Sequence, residues 1–327
     1  KEGEHWAFIA SQRHAPPAVK QKGWPKNAID HFILAELEAA NLQPSAEADK
    51  ITLLRRVYLD LIGLPPTPTE VKAFLADKRT DAYERVVDQL LASPRYGERW
   101  GRHWLDAARY ADSDGYSHDA PRIMWQYRDW VIRATNDDLS FDQFVIEQLA
   151  GDMLPDATAA QRIATGFHRN TQINTEGGVD REQFRIDSIF DRIATTGEVL
   201  FGLTFGCAQC HDHKYDPIKQ VEYYQMFAYY NQVDEPRREI PTAADLNAQK
   251  AHDQKITALT AKVNNAEQGS DARKKLQAEL VQLKKKRPRA TTALVMMQRS
   301  SPRMTHRFIQ GNFTRPAEVV KPGVPSI

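Results

Sequence analysis

The chemistry-bearing residues of this chain are concentrated in Cys207-Ala208-Gln209-Cys210-His211. Two thiols three positions apart can reach the two vinyl groups on one porphyrin edge and form thioethers. The adjacent imidazole can then swing beneath the ring and ligate the iron as proximal ligand. The run therefore reads as an attachment site for one covalent haem c, held by Cys207, Cys210 and His211, with His211 on the metal. Other chemistries use the same residue types. A thioredoxin-like dithiol would sit beside a βαβ pattern, and none is legible. A zinc site could draw on Cys207, Cys210, His211 and His213. One tight run seldom supplies a tetrahedral cage, however, and the chain has only 2 cysteines. A plain disulfide stays open if haem is never attached.

The sixth ligand is not fixed by spacing. His213 lies two residues past His211, too close to cross to the opposite haem face, so it is expected to hydrogen-bond nearby or to face a propionate. His168, within Gly166-Phe167-His168-Arg169-Asn170, is a possible distal ligand. His118 and Met226 are others, and an open or water-bound position is the alternative. Asp212, Lys214, Tyr215 and Asp216 crowd the attachment run.

A second constellation surrounds Arg109, Asp112, Asp114 and His118, with Tyr110 and Tyr116 between them. Glu176 and Asp180 flank Gly177-Gly178, followed by Arg181, Arg185 and Arg192. Paired carboxylates with Arg and Tyr could bind a sugar or carry acid–base work, with Asp112, Asp114, Glu176, Asp180 and Tyr215 as catalytic candidates. The competing reading is structural. In it the acids and arginines form ion pairs between helices, or, for an arginine such as Arg192, partner a haem propionate.

The elements that must hold these residues read as helices. Thr67-Pro68-Thr69-Glu70 sets a Thr cap, a Pro in the first turn and a Glu three after the cap. Ser140 with Gln143 and Thr158 with Gln161 repeat that spacing. Apolar residues follow at helical intervals, as in Val86, Val87, Leu90 and Leu91, or Trp100, Trp104, Leu105 and Ala108. Leu53 to Gly63 reads as a helix closed by its glycine. From 245 to 287 polar residues dominate around two narrow seams. Leu246, Ile256, Leu259 and Val263 form one, and Leu276, Leu280 and Leu283 the other, separated by Gly269-Ser270-Asp271. This predicts an antiparallel helical hairpin with Ser270 capping its second arm, serving as a spacer or docking arm or lying flat on the body. Thr291 to Met296 and Thr305 to Ile309 read as short strands, and the Pro-bearing tail from Pro316 reads as a linker. The expected fold is mainly α: a helical haem-binding body over 1–240, a protruding antiparallel helical hairpin over 241–288, and a small β element with the tail over 289–327.

Composition excludes several classes. The chain has 44 basic and 43 acidic side chains, a net charge of +1, which argues against binding nucleic acid through bulk charge. Its hydrophobic content of 41% supports a packed core. No apolar run approaches the ~18 residues of a membrane span. The Lys284-Lys285-Lys286-Arg287 run reads as a solvated helix end. Lys1-Glu2-Gly3-Glu4-His5-Trp6 carries neither an initiator Met nor an apolar signal core, so the chain is expected to be a processed product or a piece of a longer one.

The motifs carry a resemblance. Gly206-Cys207-Ala208-Gln209-Cys210-His211-Asp212-His213-Lys214-Tyr215-Asp216-Pro217-Ile218 resembles the hallmark of the planctomycete-type cytochrome c domain, second class. Asn174-Thr175-Glu176-Gly177-Gly178, Asp191-Arg192-Ile193-Ala194-Thr195-Thr196-Gly197, Leu61-Ile62-Gly63-Leu64-Pro65-Pro66-Thr67-Pro68 and Arg102-His103-Trp104-Leu105-Asp106 are similar to it too, over roughly residues 5 to 235. The resemblance implies an exported bacterial haem protein, often associated with polysaccharide-using planctomycetes, and covalent haem attachment, carried out outside the cytoplasm in bacteria, makes the expected location periplasmic or otherwise exported. It also implies a C-terminal companion domain or chain, which could dock near the hairpin. It implies no established reaction. The attachment run lies deep in the chain, and the surrounding protein is larger than a simple electron relay requires.

Three functions follow as expectations. The leading one is a mono-haem electron-transfer protein with a redox partner protein. The second is a haem-dependent oxidoreductase with an open iron position beside an acidic pocket, acting on a carbohydrate or peroxide-type substrate. The third is a binding scaffold with structural haem.

Overall fold

The computed structural model describes residues 6–326; the N-terminal reading of Lys1 to His5, and Ile327, lie outside the described residues. The chain forms two compact units, one extending to Gln89 and the other over Leu90–Ser326. The first is helical. α1 (Ala28–Ala39) starts at Asn27, whose side chain accepts from the Ile29 and Asp30 amides. α2 (Lys50–Leu61) starts at Asp49 and runs out at Gly63, whose φ of +72° is a left-handed conformation that glycine adopts without a Cβ penalty. α3 (Pro68–Ala76) opens with the expected Thr67–Glu70 capping box. Leu34, Leu54, Val57, Tyr58 and Phe74 are buried. α4 (Ala82–Leu91) runs through the division between the units.

The second unit holds two cores. In the first, α5 (Pro94–Ala107) packs closely on α6 (Trp125–Asn136). A Cβ on Gly97 would lie 2.3 Å from the Ile132 carbonyl oxygen, so glycine sets the approach of these helices. α7 (Phe141–Ala150), α8 (Ala159–Ala164) and a 3₁₀ turn over Thr165–Arg169 complete the layer. Tyr127, Trp130, Phe144 and Phe167 fill it, with Trp104 packed alongside. Trp104 Nε1 and the Tyr127 hydroxyl both donate to Gln148 Oε1 at 2.7 Å, which satisfies a polar group inside an aromatic core. Thr158 and Gln161 form the expected box before α8. Ser140 does not: its side chain makes no cap bond to α7, and Gln143 donates to Glu147 at 3.1 Å instead.

The second core carries the cysteine run. α9 (Arg181–Thr196) is capped by Asp180 and followed by a π turn over Gly197–Phe201 and a 3₁₀ turn over Gly206–Gln209. α10 (Gln220–Tyr230) packs against α9. Ile189, Ile193, Phe205, Ala208, Ile218, Tyr223, Tyr224 and Phe227 are buried together with Phe308 and Val320.

Short antiparallel strands close the unit. β1 (Val233–Asp234) and β2 (Arg237–Glu239) precede the hairpin arms α11 (Ala243–Asn265) and α12 (Asp271–Lys285). β3 (Thr292–Leu294) and β4 (Met297–Gln298) follow them, and β2 pairs with β3 while β1 pairs with β4. The hairpin is thus inserted between paired strands, its root closed by the Ile240 amide on the Thr291 carbonyl at 2.8 Å. Ser270 caps α12 as expected. Leu246 is 54% exposed and leaves the expected seam. The buried His252 enters it, with Nε2 2.9 Å from the Leu283 carbonyl. β5 (His306–Phe308) pairs with β6 (Pro316–Val319). The tail after β6 is docked rather than linker-like. Val320 is buried, the Gly323 amide donates to Gln225 at 3.3 Å, and the Ser326 hydroxyl donates to Glu222 at 2.6 Å. The fold is mainly α with small antiparallel strand pairs. No helix among the described residues is long and apolar enough to cross a membrane.

Candidate functional site

Cys207 lies in the 3₁₀ turn and Cys210 caps its end, both exposed and both free thiols. The turn is anchored from behind. Ala208 is fully buried beneath it. The Gln209 carbonyl between the cysteines accepts from Gln220 Nε2 at 3.0 Å and from the Tyr224 hydroxyl at 3.1 Å. Asp212 Oδ1 accepts the Gln220 amide at 2.8 Å and ties the segment to the start of α10. Burial pushes the Tyr224 hydroxyl up, and charge at Cys210 adds to that; Tyr224 therefore keeps its proton and its bond to the turn at neutral pH.

His211 and His213 are set in opposite tautomers. His211 is exposed, and its Nδ1 lies 2.7 Å from the Asp212 carbonyl oxygen. A carbonyl only accepts, so Nδ1 carries the proton and Nε2 keeps its lone pair, the form a metal ligand needs. His213 is the reverse. Its Nδ1 accepts the Asp216 amide at 2.8 Å and the Tyr215 amide at 3.3 Å, so the neutral ring carries its proton on Nε2, and its side chain is only 5% exposed. This arrangement leaves His211 as the imidazole able to meet an iron through Nε2, and it does not fit a zinc cage built from both rings. Among the described residues no cluster of three or more His, Cys, Asp or Glu is placed to hold a metal ion. Two exposed thiols on one turn with a ligand-competent imidazole next to them fit covalent haem c. Tyr215 is 82% exposed, with Lys214 Nζ 5.1 Å from its ring centroid.

His168 lies elsewhere, in a polar interior. It is 3% exposed, and its ring meets Phe167 and Tyr230 edge-on at 4.9 and 4.8 Å. Burial, with the Arg192 charge, lowers its pKa to about 3, so the ring is neutral at physiological pH. Among the described residues its Nε2 and the Asn170 Oδ1 have no hydrogen-bond partner. Both residues line a crevice too tight to admit a water molecule, together with Arg109, Phe167, Thr171, Arg192 and Thr195. Arg192, the expected propionate partner, is 2% exposed. It donates to the His168 carbonyl at 3.0 Å and pairs with Glu235 at 2.8 Å. Arg169 reaches the same carboxylate at 3.4 Å. Burial alone would raise the Glu235 pKa, but Arg192 and Arg169 outweigh it and lower it overall. The structure thus joins His168 to Arg192, with Arg192 committed to the His168 carbonyl and to Glu235. Met226 is buried in the core that carries Ala208.

The two acidic loops do meet. The Ile173 amide donates to the Asp114 carbonyl at 3.0 Å, His118 Nδ1 lies 3.0 Å from Thr175 Oγ1, and the buried Arg122 donates to the Thr171 and Asn170 carbonyls. Three of their carboxylates, however, have structural work. Asp112 accepts from the Tyr110 hydroxyl at 2.8 Å, Asp180 caps α9, and the buried Asp114 is the foremost charge offsetting the effect of burial on Arg122. Arg109, at φ +57°, pairs with Asp191 at 2.6 Å. Glu176 is half-buried beside Asn174, whose side chain accepts its amide at 2.8 Å. Gln220, Tyr224 and Glu235 stand in none of the quoted motifs, and only tertiary packing brings them to these sites.

No curated protein and no solved structure matches this chain. Residues 28–235 match the family profile PSCyt2. That span contains the cysteine turn, His168, Arg192 and both acidic loops, and the match agrees with the planctomycete-type family that the motifs resemble. The chain therefore belongs to the PSCyt2 family, described as proteins of unknown function (DUF1549).

Proposed function

We propose that this chain is an exported c-type haem protein with one covalent haem and a redox, electron-transfer role. The observation that carries the reading is the pairing of two free, exposed thiols with a His211 ring whose Nδ1 is already committed to a carbonyl. Cys207 and Cys210 would each add S–H across one vinyl group, sulfur to one carbon and hydrogen to its neighbour, with no oxidant consumed. His211 would ligate the iron through Nε2, while the nearly buried His213 would brace the segment through the Tyr215 and Asp216 amides. The bound haem supplies a one-electron couple; the protein supplies ligation, hydrogen bonding and partial burial, which tune it. Attachment outside the cytoplasm makes the protein periplasmic or otherwise exported. The family resemblance further points to a system acting on polysaccharide-related substrates, with a redox partner protein and a C-terminal companion domain or chain.

Electron transfer stands ahead of an oxidoreductase with an acidic pocket because Asp112, Asp180 and Arg192 are already hydrogen-bonded or ion-paired. Expression with export and haem-attachment machinery tests the reading. Intact mass is expected to gain on the order of 616 Da, and Cys207→Ser or Cys210→Ser to weaken or abolish the gain. Bare thiols in the matured wild type would overturn it. An oxidised spectrum unaffected by cyanide and a reduced spectrum unaffected by CO separate electron transfer from an open iron site.

A further inference from the structure

We infer that the β5–β6 strand pair and its turn, outside the residues matched by the family, form one wall of the cysteine site, and that Gly311 in this turn sets the reach of the Cys210 sulfur. The family match ends at residue 235, yet three contacts from the C-terminal strands converge on the motif turn. Phe308 packs its ring against Tyr224 and Phe227 at 5.2 and 5.5 Å. Gln220 bridges the two parts: its Nε2 donates to Gln209 at 3.0 Å and to the Phe308 carbonyl at 3.4 Å, while its Oε1 accepts from Arg307 at 2.8 Å. The closest approach is at Gly311. A Cβ there would lie 2.9 Å from Cys210 Sγ and 3.2 Å from the Gln209 side chain. Such a distance is below van der Waals contact, so any other residue would displace the sulfur or the turn. The turn also has left-handed backbone at Gln310 and Gly311, φ +53° and +73°. It thus brings bare backbone against one of the two thiols and leaves Cys207 free of that contact.

The purpose of this wall rests on the haem reading, since a fixed Cys210 sulfur matters most when two thiols must meet one porphyrin edge together. The contact itself is testable without haem. The full chain prepared without attachment machinery is alkylated with iodoacetamide, and the rates at Cys207 and Cys210 are read from peptide masses. In Gly311→Ala the added methyl is expected to slow Cys210 relative to Cys207 by about 3-fold or more through steric cover. Gly202→Ala is the strain control, because Gly202 has φ +66° with nothing within 4 Å of its Cβ position, and its rate ratio is expected to match wild type. Phe308→Leu acts in the opposite sense: it loosens the wall and raises Cys210 reactivity, which keeps the test decisive should Gly311→Ala fold poorly. With attachment machinery, Gly311→Ala is expected to show less haem-bearing mass than Gly202→Ala. Rate ratios in Gly311→Ala and Phe308→Leu equal to wild type would overturn the inference. Absence of haem in matured wild type would overturn the haem reading while leaving the thiol ratios to judge the wall.

Discussion

A single proton position separates the two histidines of the motif. His211 gives its Nδ1 proton to a carbonyl and His213 receives an amide on the same atom, so only His211 is poised to ligate through Nε2. Spacing alone already demoted His213; the hydrogen bonds give the chemical reason. His168 yields a pH prediction. Its folded pKa is lowered to about 3, chiefly by burial and then by Arg192. The unfolded state, titrating near 6.5, binds the proton first as pH falls. Stability is therefore complete above the unfolded value and declines from there towards the folded one, at up to about 1.4 kcal/mol per pH unit. Glu235, with its folded pKa lowered below 4.5, loses stability in the same direction but at more acidic pH. Urea unfolding between pH 7 and 5 is expected to show a falling midpoint in wild type and a flatter profile in His168→Gln. Identical slopes would mean that His168 is not buried neutral.

Element packing is where side-chain size decides. Gly97 and Gly101 lie one turn apart on α5, facing α6. A Cβ at Gly97 would sit 2.3 Å from the Ile132 carbonyl oxygen, whereas one at Gly101 would meet Val131 at an ordinary 3.4 Å. Gly97→Ala is therefore expected to destabilise by about 1–3 kcal/mol through overpacking, and Gly101→Ala to be neutral or to gain up to about 1 kcal/mol from helix propensity. Denaturant midpoints of the two variants check this; equal effects would contradict the geometry. Glu235 plays a comparable role between the turn at Thr165–Arg169 and α9, since it neutralises two buried guanidiniums. Glu235→Gln is expected to cost about 3 kcal/mol, the lower end for a broken buried pair because the carboxylate is 34% exposed. Loss of the Arg169 and Arg192 restraints would also disturb the packing around His168.

At the scale of the molecule, the hairpin is an insertion. β2 and β3 pair across it, and Ile240 and Thr291 bond at its root. Excising 243–288 with a short linker is expected to lower helicity while leaving haem-bearing mass unchanged, as read by circular dichroism and intact mass. Loss of the mass gain would tie the hairpin to the site. Much of this architecture was legible in the chain because the signals are local. The Thr67 and Thr158 boxes, the Ser270 cap, the seam through Leu259 and Val263, and the short strands near 292 and 306 each follow from periodicity or turn chemistry over a few residues. Ser140 misled because a capping spacing does not guarantee that the side chain turns inward. Leu246 misled because the hairpin seam took up His252 instead. The tail misled because proline content signals an irregular backbone, not whether that backbone finds a surface to pack on.

By itself the sequence determined the helical character, the hairpin, the family and the thiol–thiol–imidazole spacing, since these reside in neighbouring residues. Tertiary structure alone decided which histidine keeps a free Nε2, that Arg192 is committed to Glu235, and that Gly311, a hundred residues downstream, abuts Cys210. Those outcomes depend on hydrogen bonds and steric contacts between segments far apart in the chain, which no local pattern encodes.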